Sequence, residues 1–150
     1  MTELLQRTNQ LNFSGRHYKR EDVASIVADA GRSKYVLRCR DKFGDYGAVG
    51  FSMVSWDRNR IDVDDFMLSC RVQGKFVEQA FFTMLRRQMA RPASLRVNYR
   101  ATGRNRPAHD VLAAMGFEDA PEGMFLKETS LLDCEFIQCQ WAASPPRVAA

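Results

Sequence analysis

The sequence predicts an α+β domain in which a mixed, mostly antiparallel sheet carries helices on both faces. Three features predict it: alternating apolar runs separated by the turn Asp57-Arg58-Asn59, an apolar stripe at helical spacing after Gly74, and a strand–helix–strand crossover beyond that stripe. Taken in order, residues 19–30 read as a helix, with Val23, Ile26, Val27 and Ala30 on one side and Gly31 as terminator. Residues 35–40 alternate apolar and basic, as a half-buried strand does. The stretch 41–45 turns the chain, 46–56 forms a second, mostly apolar strand, and 60–70 a third, giving an antiparallel meander. Residues 74–91 make the strongest helix: Phe76, Val77, Ala80, Phe81, Met84, Leu85 and Met89 form its apolar face, and Pro92 stops it. A strand over 95–99, a loop at Asn105-Arg106-Pro107 and a short helix over 108–115 capped by Gly116 follow. Two weakly alternating closing strands, 125–128 and 135–141, complete the order. No repeat or linker divides the chain, so one domain is expected over 1–141, with 142–150 a tail whose paired prolines join neither helix nor central strand.

A chain of 150 residues that is 45% hydrophobic and 27% charged has the composition of a soluble globular domain able to bury a core without metal or disulfide staples. No apolar run approaches the roughly 20 residues that span a bilayer, and no signal peptide is evident, so a cytoplasmic protein without membrane contact is expected. Cys39, Cys70, Cys134 and Cys139 are then read as reduced thiols. With no Cys-x-x-Cys pair, and neither His17 nor His109 at ligand spacing to a cysteine, no metal is expected. The net charge of +4 suits an acidic partner. Nucleic acid is not expected, because the chain has no recognition-helix motif, RNA-binding aromatic signature or dense Lys/Arg tract.

The junction Leu68-Ser-Cys-Arg-Val-Gln-Gly-Lys-Phe76 is the expected functional centre. A strand that feeds a glycine turn and then a helix start forms an anion cradle, since the first helical N–H groups lack internal partners and carry the positive end of the dipole. Arg71 and Lys75 would add charge, and Val72, Gln73 and Gly74 would supply backbone contacts. Cys70 is either a thiolate nucleophile activated by the helix start and neighbouring cations or a small core residue closing a strand. His109 is either a base or an exposed helix-start residue, and Asn105 a ligand contact or turn chemistry. Thr8, Asn9 and Asn12 either line a substrate pocket or fix the hydrogen bonds of a first strand.

The Arg71-x-x-Gly74 turn, Asn105-x-Pro107-Ala108 and Met115-Gly116-Phe117, in this order of elements, resemble the GNAT (acyl-CoA N-acyltransferase) fold. The blocks Arg7-Thr-Asn-Gln-Leu-Asn-Phe13, Asp41-Lys-Phe-Gly-Asp-Tyr-Gly47 and Ser69-Cys-Arg-Val-Gln-Gly74 resemble the C-terminal domain of FkbH-like proteins, over roughly residues 3 to 128. The resemblance implies transfer of a glyceryl group from 1,3-bisphosphoglycerate to the phosphopantetheine thiol of an acyl carrier protein, for polyketide extender units such as methoxymalonyl. It also implies a phosphatase half of haloacid-dehalogenase type. Asp62-Val63-Asp64 has the letters of that half's Asp-x-Asp motif but lies within the meander and reads as strand surface, so the phosphatase half is expected to be absent here.

Two positions depart from the pattern. Phe76 stands where the pyrophosphate loop usually ends in Gly or Ala, and Leu112 stands where many such enzymes place a tyrosine acid. A stand-alone N-acetyltransferase using acetyl-CoA (coenzyme A as cofactor) and a non-catalytic carrier-docking module are the alternatives, with Arg100, Arg104 and Arg106 as the surface for an acidic carrier.

Overall fold

The computed structural model describes residues 10–57, 59–88, 94–126 and 132–142. In chain order the elements are α1 (Asp22–Ala28), β1 (Ser33–Asp41), β2 (Gly44–Asp57), β3 (Arg60–Leu68), a short 3-10 turn (Cys70–Val72), α2 (Val77–Arg86), β4 (Ser94–Val97), α3 (Arg106–Ala114), β5 (Glu118–Ala120) and β6 (Gly123–Leu126). The strands form one six-stranded sheet in the order β1-β2-β3-β4-β6-β5. Only the β3–β4 pairing is parallel, as the crossover through α2 requires.

The apolar alternation that predicts the meander also sets its faces, with one phase change. Ile61 and Val63 face the main core, as do Phe66 and Leu68, although strict alternation would have put Asp65 there instead. The register resolves this: Met53 pairs with Asp65 while Val54 pairs with Val63, so Asp64 is the extra residue of a bulge. The main core joins strand residues such as Tyr35, Val54, Phe66, Val97 and Leu126 to Phe81, Phe82 and Leu85 of α2 and Ala108 and Leu112 of α3. Phe66 sits at its centre, its ring 4.8 Å from Phe13, 5.3 Å from Phe81 and 5.2 Å from Phe82. A much smaller cluster of Ile26, Phe51, Met53 and Met67 holds α1.

The GNAT-like fold expected above, with helices layered on both faces, is corrected by this arrangement. The two longer helices, α2 and α3, share one large core, and the second cluster carries only the seven-residue α1. The closing elements also differ from expectation. β5 and β6 form a short hairpin over Glu118–Ala120 and Gly123–Leu126, and residues 135–141 form no strand. Those residues instead cross the surface: Phe136 meets Phe76 at the head of α2 and Trp141 meets Tyr35 of β1.

Beside the smaller cluster Asp65 is fully buried without a cation at hydrogen-bond distance. Its carboxylate accepts from Ser14 Oγ at 2.8 Å and from the Tyr18 hydroxyl. Burial pushes its pKa above the carboxylate value of 3.8, and those two hydrogen bonds only partly oppose the rise. A raised carboxyl contributes stability that is complete below its unfolded pKa and is lost as pH climbs through the folded value. The stability difference between Asp65→Asn and the parent is therefore expected to move in favour of the variant as pH rises from about 4 to about 7. Urea unfolding across that range checks the sign, and a difference that moves toward the parent would contradict it.

Candidate anion-binding site

β3 and β4 run side by side only from Arg60/Ser94 to Val63/Val97, after which Asn98 N donates to Val63 O at 2.9 Å and the strands part. This divergence is where the sequence reading places an open cleft. The structure fills it with the chain's own residues 11–13. Phe13 N donates to Phe66 O and Leu68 N to Leu11 O, both at 3.0 Å, while Arg100 N donates to Phe13 O at 3.0 Å. Leu11 and Phe13 turn into the main core, and Asn12, pointing the other way, folds the chain back on itself. Its Oδ1 accepts from Gly15 N at 3.0 Å and its Nδ2 donates to Arg16 O at 2.6 Å. Gly15 has φ +69°, and a Cβ there would lie 2.8 Å from Thr102 Cγ2, so glycine lets this turn press against the loop that follows β4.

Asn105 locks the two segments together. It is fully buried, and its amide donates to Asn12 O at 2.8 Å and Arg100 O at 2.9 Å while accepting from Thr102 N at 2.7 Å. Both sides of the amide are thereby used on backbone, so Asn105 braces loops instead of contacting a ligand.

The braced loops border two surface depressions. One, of about 280 Å³, is lined by Asn12, Gly15, His17, Thr102, Gly103 and Arg104. The other, of about 460 Å³, includes Arg16, Arg96, Asn98, Tyr99 and Arg100 with Asp64 and Glu122. The guanidinium groups around them differ in how far they are already engaged. Arg96 is held by Asp62, with Asp64 at 3.7 Å and the Glu122 carbonyl at 3.2 Å, and Arg106 is held by Asp110 at 2.7 Å. No carboxylate pairs with Arg100 or Arg104 among the described residues, and both are exposed. Two uncompensated guanidiniums on a rigid loop, with Arg16 and His17 on the facing segment, can accept an anion by charge-assisted hydrogen bonds.

The Cys70–Lys75 turn, by contrast, uses its amides internally. Arg71 N points at Ser69 Oγ (3.4 Å), Val72 N at Ser69 O, Gln73 N at Cys70 O and Lys75 N at Val72 O (each 3.1 Å). Val72 is fully buried, and the Arg71 guanidinium reaches Ser69 Oγ and Ala48 O. Gly74 supplies the positive φ of +74° that the turn needs. Lys75 is bound to Asp41 at 2.8 Å and lies over the Tyr46 ring. The lysine ammonium, by its hydrogen bond, holds the Asp41 carboxyl down to about 2, helped by Phe43 N and the Tyr46 hydroxyl. Glu78 places a buried carboxylate in the first turn of α2, where an incoming anion would meet like charge. Phe76 adopts φ 58°, a left-handed conformation that a bulky residue rarely takes, and remains half exposed with its ring edge-on to Phe136. The slot expected past Gly74 is therefore neither plugged by Phe76 nor lined by free turn amides.

The remaining expected residues fall as follows. Cys70 begins the 3-10 turn and is exposed, not a core residue. His109 lies on α3 with its ring 5.5 Å from Tyr99, Nε2 3.4 Å from Asp119 and Nδ1 3.5 Å from Asp110, so the imidazole is turned to α3 and β5 and is not joined to Cys70. Asn12 helps line the smaller depression but uses its amide on its own turn, and Thr8 and Asn9 lie outside the described residues. Arg16 and His17 were not singled out by the sequence. The signal for them was Gly15, which marks a tight turn followed by two basic side chains. Among the described residues no group of three or more His, Cys, Asp or Glu is placed to hold a metal ion, and no helix is long and apolar enough to cross a membrane.

No family model and no curated protein matches the chain. It is similar to a solved chain titled "The crystal structure of KacTA-DNA complex", at 14% identity and TM-score 0.48, over 85% of this chain and 92% of that one. The expectation of an acyl carrier protein as partner, with nucleic acid excluded, is corrected against that complex, which contains DNA.

Proposed function

We propose that this chain binds a small phosphate-bearing ligand between its Arg16-His17 turn and its Arg100–Arg104 loop. The observation that carries this reading is the pair Arg100 and Arg104, exposed and without a carboxylate among the described residues, on a loop braced by buried Asn105. Coenzyme A, through its pyrophosphate, belongs to the ligand class such a surface takes. Calorimetric titration of the full chain with inorganic pyrophosphate is expected to give a single saturable site. Arg100→Ala and Arg104→Ala are each expected to weaken it by about tenfold or more, the worth of a charge-assisted hydrogen bond. Unchanged affinity in both variants would refute the site. Binding of a DNA duplex that pyrophosphate cannot displace would assign the same arginines to nucleic acid.

Acyl transfer, the activity implied by the FkbH-like resemblance, is a second reading, favoured by the exposure of Cys70 at the end of β3. In it the Cys70 sulfur attacks an acyl phosphate, the thioester forms and inorganic phosphate leaves. Intact-mass measurement after incubation with a glyceryl phosphate anhydride is expected to show one acyl adduct that Cys70→Ala abolishes. An adduct that persists in that variant, or none in the parent, would dismiss the covalent role.

A further inference from the structure

The segment 132–142 is anchored along the molecule in a way that brings one of its thiols to β1. Its first part lies on α2: Gln79 Nε2 donates to Asp133 O at 3.1 Å, Arg87 lies 3.8 Å from Asp133, and Cys134 is buried. Phe136 then packs edge-on against Phe76 at the head of α2, ring centroids 5.4 Å apart. That end of α2 is tied to the last residue of β1 by Lys75 and Asp41, 2.8 Å apart. Trp141, five residues on, packs against Tyr35 near the start of β1 at 5.6 Å. The segment therefore runs alongside β1 in the opposite direction, from the level of Asp41 to that of Tyr35. Cys139 lies between the two anchors, three residues past Phe136 and two before Trp141, level with Leu37 and Cys39.

The strand's alternation completes the placement. Tyr35, Leu37 and Cys39 share the face of β1 that packs on the main core, the face to which Trp141 is bound. Cys39 is half buried and Cys139 exposed, both as free thiols.

The geometry points to Cys39 and Cys139 as a redox pair whose disulfide fastens the C-terminal segment across β1. The oxidant is a low-molecular-weight disulfide of the glutathione type. The exposed Cys139 thiolate attacks it, forming a mixed disulfide and releasing one small thiol. Cys39 then attacks the Cys139 sulfur, the Cys39–Cys139 bond forms, and the second small thiol leaves. Overall, two protein thiols lose their hydrogens to the two sulfurs of the reduced oxidant. The direction of each thiol's shift agrees with the placement: burial raises both, and Cys39 adds to the rise at Cys139. The exchange is accordingly expected to quicken as pH rises above neutral. The pair is independent of the proposed anion site and of Cys70.

The test is oxidation of the full chain with oxidised glutathione, followed by intact mass and peptide mapping without reduction. The expected product has lost two hydrogens and contains a Cys39–Cys139 link. Cys39→Ser and Cys139→Ser should each abolish it, Cys134→Ser should leave it, and Trp141→Ala, which removes the anchor on Tyr35, should slow its formation by about fivefold or more. Closing so long a loop is expected to raise Tm by about 5 °C or more. A Cys134–Cys139 link, a link that survives in Cys139→Ser, or mixed disulfides alone would overturn the assignment.

Discussion

Replacing Asn105 with alanine is expected to destabilise the protein by about 3–5 kcal/mol, because it leaves three buried backbone groups without a partner. The side chain is fully buried and satisfies Asn12 O, Arg100 O and Thr102 N at 2.7–2.9 Å. No neighbouring side chain replaces those bonds once the amide is gone, and the cost of each orphaned group adds to a small cavity. Asn105→Asp is expected to fare no better, since a carboxylate would meet the two carbonyls that the amide now donates to. Urea unfolding checks this through a lowered midpoint at unchanged slope. A loss below about 1 kcal/mol would show that the two loops do not depend on this brace.

Phe13→Ala is expected to cost about 3–5 kcal/mol, the range for truncating a buried aromatic ring. Phe13 has no exposed surface and packs on Phe66, the ring that joins residues 11–13 to Phe81 and Phe82 of α2. Truncation also loosens the insert between β3 and β4, so the amides of Leu68 and Arg100, which bond to Leu11 O and Phe13 O, should exchange faster with solvent deuterium. Phe13→Leu keeps most of the volume and is expected to lose less than about 1.5 kcal/mol. Equal losses for the two variants would mean that ring packing does not hold the insert.

The sheet was legible where local pattern carries the information. Alternation marks β1 and β3, the run of buried residues Val49–Val54 marks a strand covered on both sides, and the doubled Asp64-Asp65 is the phase break that becomes the bulge. β5 was not legible because its three residues, Glu-Asp-Ala, are all exposed and show no periodicity. Residues 135–141 alternate, but Phe136 and Trp141 answer to two separate aromatic partners and not to a neighbouring strand. Element order suggested helices on both faces, yet order alone does not say how much core each helix shares.

The functional turn shows the same limit. A strand, a glycine and a helix start do predict a positive φ at Gly74, but whether the amides face outward depends on how the turn closes, and here it closes on itself. The insertion of residues 11–13 between β3 and β4 is a pairing over more than fifty residues, which no local spacing encodes. Arg100 and Arg104 were legible as basic residues. That they lack partners while Arg96 and Arg106 are engaged depends on Asp62, Asp64 and Asp110 in three dimensions.

The most direct measurement is a pyrophosphate titration of isotopically labelled protein followed by amide chemical shifts. Saturating changes at Gly15, Arg16, Arg100 and Thr102–Arg104, with Gly74–Phe76 still, are the predicted result. Changes centred on Gly74, Lys75 and Phe76 would place the anion at the head of α2 and contradict the site proposed between the two braced loops.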